Sequence, residues 1–154
     1  MKSRIFSVLV FLFLAISSPL YSQTAVKLEA LLETPELTWE QAAAFILEAA
    51  DVEIPAMEAS PTGLAFSFAM EQKWLPKKAS LSDTALHNGV ALLLMRSFNI
   101  KGGIFYRISK SPHHAYRELV YKNVIRGNVD PYMPVSGPEL LFMVNLILAM
   151  KEHL

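Results

Sequence analysis

Two of the chain's four histidines, His113 and His114, are adjacent, which raises metal binding or proton transfer as a function. Neighbouring residues of a helix point about 100° apart, so this pair does not share a metal well as an i, i+4 pair does. Near a helix start they are expected to face solvent or pack on the loop. Ser136, set between Val135 and Gly137, has the look of a nucleophile. No strand precedes it as a nucleophile elbow requires, and Glu139 three residues on makes it a helix cap instead. Asp130 and Glu118 read as a turn aspartate and a solvated helix glutamate. Gly102-Gly103 has no phosphate-loop lysine after it. These residues predict no catalytic group, no cofactor and no metal, and the chain reads as a non-enzyme.

The other chemistry-bearing set is basic. Between positions 101 and 126 stand Lys101, Arg107, Lys110, Arg117, Lys122 and Arg126, with Glu118 the lone acid. Phe105, Tyr106, Tyr116 and Tyr121 interleave with them. Cations beside aromatic rings suit anion binding and stacking on sugars. The opposite charge gathers earlier, where Lys27 stands among Glu29, Glu33, Glu36, Glu40, Glu48, Asp51, Glu53 and Glu58. A formal net charge of +0 therefore hides two opposed halves, which either face each other in the fold or present a binding surface. The candidate ligand-binding residues are Lys101, Arg107, Arg117, Lys122 and Arg126, together with Trp39. Trp39 is open to two readings, an exposed stacking platform or a lid on the core.

What must position these residues begins with where the chain goes. Met1-Lys2-Ser3-Arg4, the apolar run Ile5 to Ile16 and the exit Ser17-Ser18-Pro19-Leu20-Tyr21-Ser22 predict a secretory signal peptide over residues 1–22. The run is shorter than the roughly 20 residues of a membrane span. Residues 23–154 are then one domain in the periplasm or cell envelope, without a transmembrane span after cleavage. Export makes nucleic acid an unexpected partner. With no cysteine, neither disulfides nor thiolate metal sites are available. Stability must rest on an apolar core, for which a hydrophobic content of 53% is ample.

Three segments share a pattern about 50 residues apart: Leu37 to Ile46, Leu86 to Met95 and Val135 to Val144. Each passes from an apolar residue through a short, mostly polar stretch into an apolar helix. Thr38 with Gln41 and Ser136 with Glu139 form capping boxes. A second helix type starts at Ser60-Pro61 and at Ser111-Pro112, serine as cap and proline at the first helical position. Val26 to Glu33 is a short substitute for a missing first helix. The expectation is an all-α fold of about six helices, in two to two-and-a-half helix–loop–helix repeats. Trp74, Met133 and Val135 are expected in the core, as is the stripe Leu140, Leu141, Val144, Ile147 and Leu148. Phe142 and Met143 then lie off that face and are available to a partner.

Ala115, Leu119, Val124-Ile125, Gly127, Asp130, Met133, Val135-Ser136 and Glu139 together resemble the surface-layer homology (SLH) repeat. The resemblance is good over Ala115–Met150, weaker over Ala65–Phe98 and covers half a repeat at Leu37–Asp51. It implies an extracytoplasmic, non-enzymatic module that attaches proteins to cell-wall polymers; the alternative expectation is a subunit or interaction partner of an outer-envelope protein complex without glycan binding. In the family, the tetrad opening the second helix carries an arginine that contacts the anionic polymer. Here the tetrads read Thr38-Trp39-Glu40-Gln41, His87-Asn88-Gly89-Val90 and Ser136-Gly137-Pro138-Glu139, and none has arginine in that slot. A guanidinium fork is not replaced by Trp, Asn or Gly, which moves the expected anion-binding surface to the basic set at 101–126. Gly127 is expected at positive φ where the first helix ends.

Overall fold

The computed structural model describes residues 19–55, 63–127 and 129–152, with side chains from Ala25 onward. Among them are seven α-helices and no sheet: α1 (Pro19–Leu32), α2 (Trp39–Ala49), α3 (Leu64–Glu71), α4 (His87–Ser97), α5 (Ile104–Ser109), α6 (Pro112–Tyr121) and α7 (Gly137–Glu152). The fold is all-α. Residues 1–18 of the expected signal peptide and the expected start Ser60-Pro61 lie outside the described residues. The chain divides into two compact units, Met1–Glu33 and Thr34–Leu154, and α1 runs through Ser22 and Gln23. No helix among the described residues is long and apolar enough to cross a membrane.

The second unit, Thr34–Leu154, is built around α4. Its residues Gly89 to Met95 are buried without interruption, the signature of a helix enclosed on all sides. The most extensive packing on α4 comes from α6; α2 packs on α3 and α4, α5 on α6, and α7 on α2. Each short helix, α3 or α6, thus lies against the long helix that precedes it.

The three long helices start from one ring. Ala85 N donates to Leu37 O at 2.7 Å, Leu37 N to Val135 O at 2.9 Å, and Val135 N to Ala85 O at 2.9 Å. All three side chains are fully buried, so their backbone groups had to find partners inside the protein. The same loops cap the helices, whose first amides have no partner within the helix. Trp39 N and Glu40 N donate to Asp83 O and Leu81 O, His87 N and Asn88 N to Met133 O and Pro131 O, and Gly137 N to Thr34 O. Pro138 has no N–H to place. Both expected capping boxes form: Thr38 N donates to Gln41 Oε1 at 3.0 Å and Ser136 N to Glu139 Oε2 at 2.9 Å.

This ring corrects the alignment of the three segments. Leu86 occupies the N-cap position of α4, as Thr38 does for α2, and Ser136 precedes α7. The equivalent ring residues are therefore Leu37, Ala85 and Val135. The middle tetrad is Leu86-His87-Asn88-Gly89, one residue earlier than the apolar pattern suggests. The second tetrad position is then held by Trp39, His87 and Gly137, all buried.

Helix ends are made by residues other than glycine. Asp51, Lys73, Asn99 and Asn123 take φ between 52° and 58° just past α2, α3, α4 and α6. Each is followed by an amide that reaches five residues back: Val52 to Leu47, Trp74 to Ala69, Ile100 to Met95 and Val124 to Leu119, which is the Schellman arrangement. Gly127 has the expected positive φ, 83°, but lies in the loop beyond, because Asn123 has already ended α6. At the other end of α6, Ser111 caps as expected, with Pro112 at the first position. α3, by contrast, begins from Gly63.

Several core assignments shift. On α7 the buried face is Leu140, Met143, Val144 and Ile147, while Leu148 is exposed. The stripe is centred one residue further round than the apolar pattern indicates, so Met143 is core and only Phe142 faces out. Met133 is exposed because its carbonyl turns inward, accepting from His87 N and His87 Nδ1. Trp74 is half-buried, edge-on to Phe68.

Candidate functional site

Asn99 at positive φ and the bond from Ile100 N to Met95 O turn the chain sharply out of α4. That turn delivers Lys101 to the junction of two pockets. One, of about 480 Å³, has an apolar floor of Phe98, Ile100, Ile147 and Met150 and carries Lys101, Lys122 and Lys151. The other, of about 580 Å³, is lined by Asn99, Ile100, Lys101, Gly102, Tyr106, Arg107 and Lys110. Among the described residues no carboxylate lines either pocket. Cations gathered on low-dielectric walls focus a positive potential at the mouth.

Lys151 lies over the Phe98 ring, 5.7 Å from its centroid, so its charge sits above the apolar floor. Glu118 accepts from Gly103 N at 2.8 Å, which fixes the start of α5. Tyr106 is buried and anchors α5 against α6. Burial pushes its phenol above the usual tyrosine range, with Glu118 adding and Arg96 opposing. Arg96 Nε is buried without a hydrogen-bond partner among the described residues.

The expected ligand-binding residues separate into three groups. Lys101, Arg107 and Lys122 come together at the two pockets. Arg117 is exposed on α6 and lines neither. Arg126 belongs elsewhere: its guanidinium lies over the Phe142 ring at 5.0 Å and its Nε donates to Asn123 O at 3.3 Å. It borders a small pocket of about 80 Å³ with His87, Glu139 and Phe142.

Trp39 is corrected outright as a stacking platform. It is 3% exposed, and its ring lies so close to Gly89 that a Cβ there would sit 2.4 Å from the ring edge. The indole and Pro76 both lie against α4 at Gly89. The reading of Trp39 as a lid is the one the structure supports.

Lys151 was missing from the sequence-based set. It stands in the last turn of α7, where a cation complements the helix dipole, and only the fold brings it to Lys101. His87 was also passed over. It is buried, donates from Nδ1 to Met133 O at 2.9 Å and places Nε2 4.0 Å from Glu139 Oε1. Burial alone would raise the Glu139 carboxyl; hydrogen bonds from Ser136 and the charge at His87 outweigh it and hold the group below the ordinary range. This pair joins the start of α4 to the cap of α7.

The remaining candidates are structural. His114 Nδ1 bonds Ser109 Oγ at 2.6 Å and Ser111 Oγ at 2.9 Å, with its ring stacked on Phe105. Among the described residues no three His, Cys, Asp or Glu side chains are grouped to hold a metal ion. No protein-family model matches the chain, and neither a curated protein nor a solved structure matches it.

Proposed function

We propose that this chain is an exported, non-enzymatic binding module of the cell envelope, SLH-like in its organisation, that holds an anionic wall polymer at Lys101. The observation that carries the reading is the junction of two pockets whose rims bear Lys101, Arg107, Lys110, Lys122 and Lys151 and, among the described residues, no carboxylate. Phosphate or carboxylate groups along a polymer would meet the cations. The positions that carry arginine in SLH tetrads are packed inside this protein, so the basic face supplies the charge in their place.

The test is co-sedimentation with purified wall sacculi, intact or stripped of anionic secondary polymer. Binding to intact sacculi alone, weakening as salt rises, supports the reading; equal binding to both, or none, removes it. Export is tested separately by sequencing the amino terminus of protein from the envelope fraction, expected at Gln23. A second reading, a subunit of an outer-envelope protein complex, draws on exposed Tyr132, Met133 and Phe142. Those residues lie apart from the basic pockets, and a defined protein partner recovered without wall would favour it.

A further inference from the structure

Helix α5 is six residues long and leaves its largest apolar side chains in solvent. Ile104 is 70% exposed, Phe105 75% and Ile108 79%. They lie at i, i+1 and i+4, on one side of the helix. The helix is fixed by buried Tyr106, by the bond from Gly103 N to Glu118 and by Ser109 Oγ on His114, whose ring also stacks on one face of Phe105. The apolar tip is therefore presented by an anchored helix. Lys101, Arg107 and Lys110, all exposed, line the pocket beside this helix. No acidic residue occurs from Lys101 to Lys110.

We propose that α5 is a wedge that docks the protein on an anionic lipid surface. Two aliphatic chains and a phenyl ring gain by leaving water for the acyl boundary, about 5–10 Å below the head groups. The ammonium and guanidinium groups of Lys101, Arg107 and Lys110 are then available to lipid phosphates at the surface. A hydrophilic wall polymer accounts for the cations but offers nothing to Ile104 and Ile108, which cannot stack on a sugar as an aromatic ring can. A membrane uses both sets at once. The proposal does not depend on polymer binding, although the two surfaces share Lys101, Arg107 and Lys110.

Because the apolar run near the amino terminus could itself meet lipid, the test reads α5 locally in the full chain. A Phe105→Trp substitution places an indole at the tip, and its emission is taken over the background of Trp39 and Trp74. Vesicles of phosphatidylcholine alone are compared with phosphatidylcholine mixed with phosphatidylglycerol, with and without acyl-chain bromination. The expected result is a blue shift and bromine quenching with the anionic vesicles, lost at about 1 M salt. Lys101→Ala and Arg107→Ala should each weaken it about fivefold. Ile104→Ser with Ile108→Ser should weaken it by about tenfold or more, with thermal stability and sacculus binding unchanged. Emission that ignores vesicles overturns the proposal, as does equal quenching by neutral and anionic lipid. A shift that requires an envelope protein and no lipid also overturns it, and assigns the tip to a protein partner.

Discussion

The ring of helix starts and the Lys101 surface are built on opposite rules. In the ring, Leu37, Ala85 and Val135 are fully buried, and each gives and receives one backbone hydrogen bond. Around Lys101, cations stand at the mouths of open pockets with no acid among the described lining residues, and α5 leaves three apolar side chains in water. The first region satisfies every group it buries. The second leaves charge and apolar area unspent, which costs stability and is retained where something else supplies the partner. Substitutions in the ring should therefore be felt as unfolding, and substitutions on the basic face as lost binding.

Trp39→Ala should give the largest effect. Removing a buried indole packed on Gly89 is expected to cost about 3–5 kcal/mol, read by chemical denaturation. A loss below about 1 kcal/mol would return Trp39 to the functional surface and break the division between the regions.

Gly89→Ala sharpens it from the other side of the same contact. In an ordinary helix interior this change stabilises by roughly 1 kcal/mol. Here the added methyl meets the Trp39 ring, and a destabilisation of about 1–3 kcal/mol is expected. Gly127→Val should cost about 1 kcal/mol for a different reason. Nothing lies within 4 Å of a Cβ at Gly127, so only its positive φ is strained.

The smallest of the stability effects is a pH dependence at the junction of α4 and α7. The Glu139 carboxyl is held below its ordinary range in the folded protein. Its contribution is complete above the unfolded carboxylate pKa and disappears as pH falls through the lower folded value. In Glu139→Gln the thermal midpoint should fall less steeply over that acid window than in the parent chain. Parallel slopes would mean that the Ser136 and His87 contacts do not hold the charge.

Local signals were the most legible part of the sequence. Thr38 with Gln41, Ser136 with Glu139, and Ser111-Pro112 predict helix starts from atoms a few residues apart, and the bonds form. Properties set by distant neighbours were harder. The three-segment pattern slips by one residue at Leu86 because α4 is apolar nearly all round and gives no phase. Met143 and Leu148 exchange places because the face of α7 is chosen by what it packs on. α5 carries no cap signal and follows two glycines, so nothing marks Ile104–Ser109 as a helix. The terminators Asp51, Lys73, Asn99 and Asn123 escape notice because glycine is the expected residue at such ends.

The candidate site was half legible. Charge counting along the chain locates Lys101, Arg107 and Lys122, yet it cannot separate them from Arg117, which lines neither pocket, or from Arg126, which is held over Phe142. Nor can it supply Lys151, which α7 brings from the far end of the sequence.

That separation is the most direct test of the central claim. Salt-dependent binding to wall sacculi should be measured side by side for the parent chain, for Lys101→Ala with Lys122→Ala, and for Arg117→Ala with Arg126→Ala. Both pairs remove two positive charges, and surface changes of this kind alter stability by no more than about 0.5 kcal/mol. The account predicts a large loss of affinity and a shallower salt dependence for the lysine pair, with the arginine pair near the parent. Equal losses for the two pairs would contradict it, reducing the pockets at Lys101 to bystanders of a diffuse positive charge.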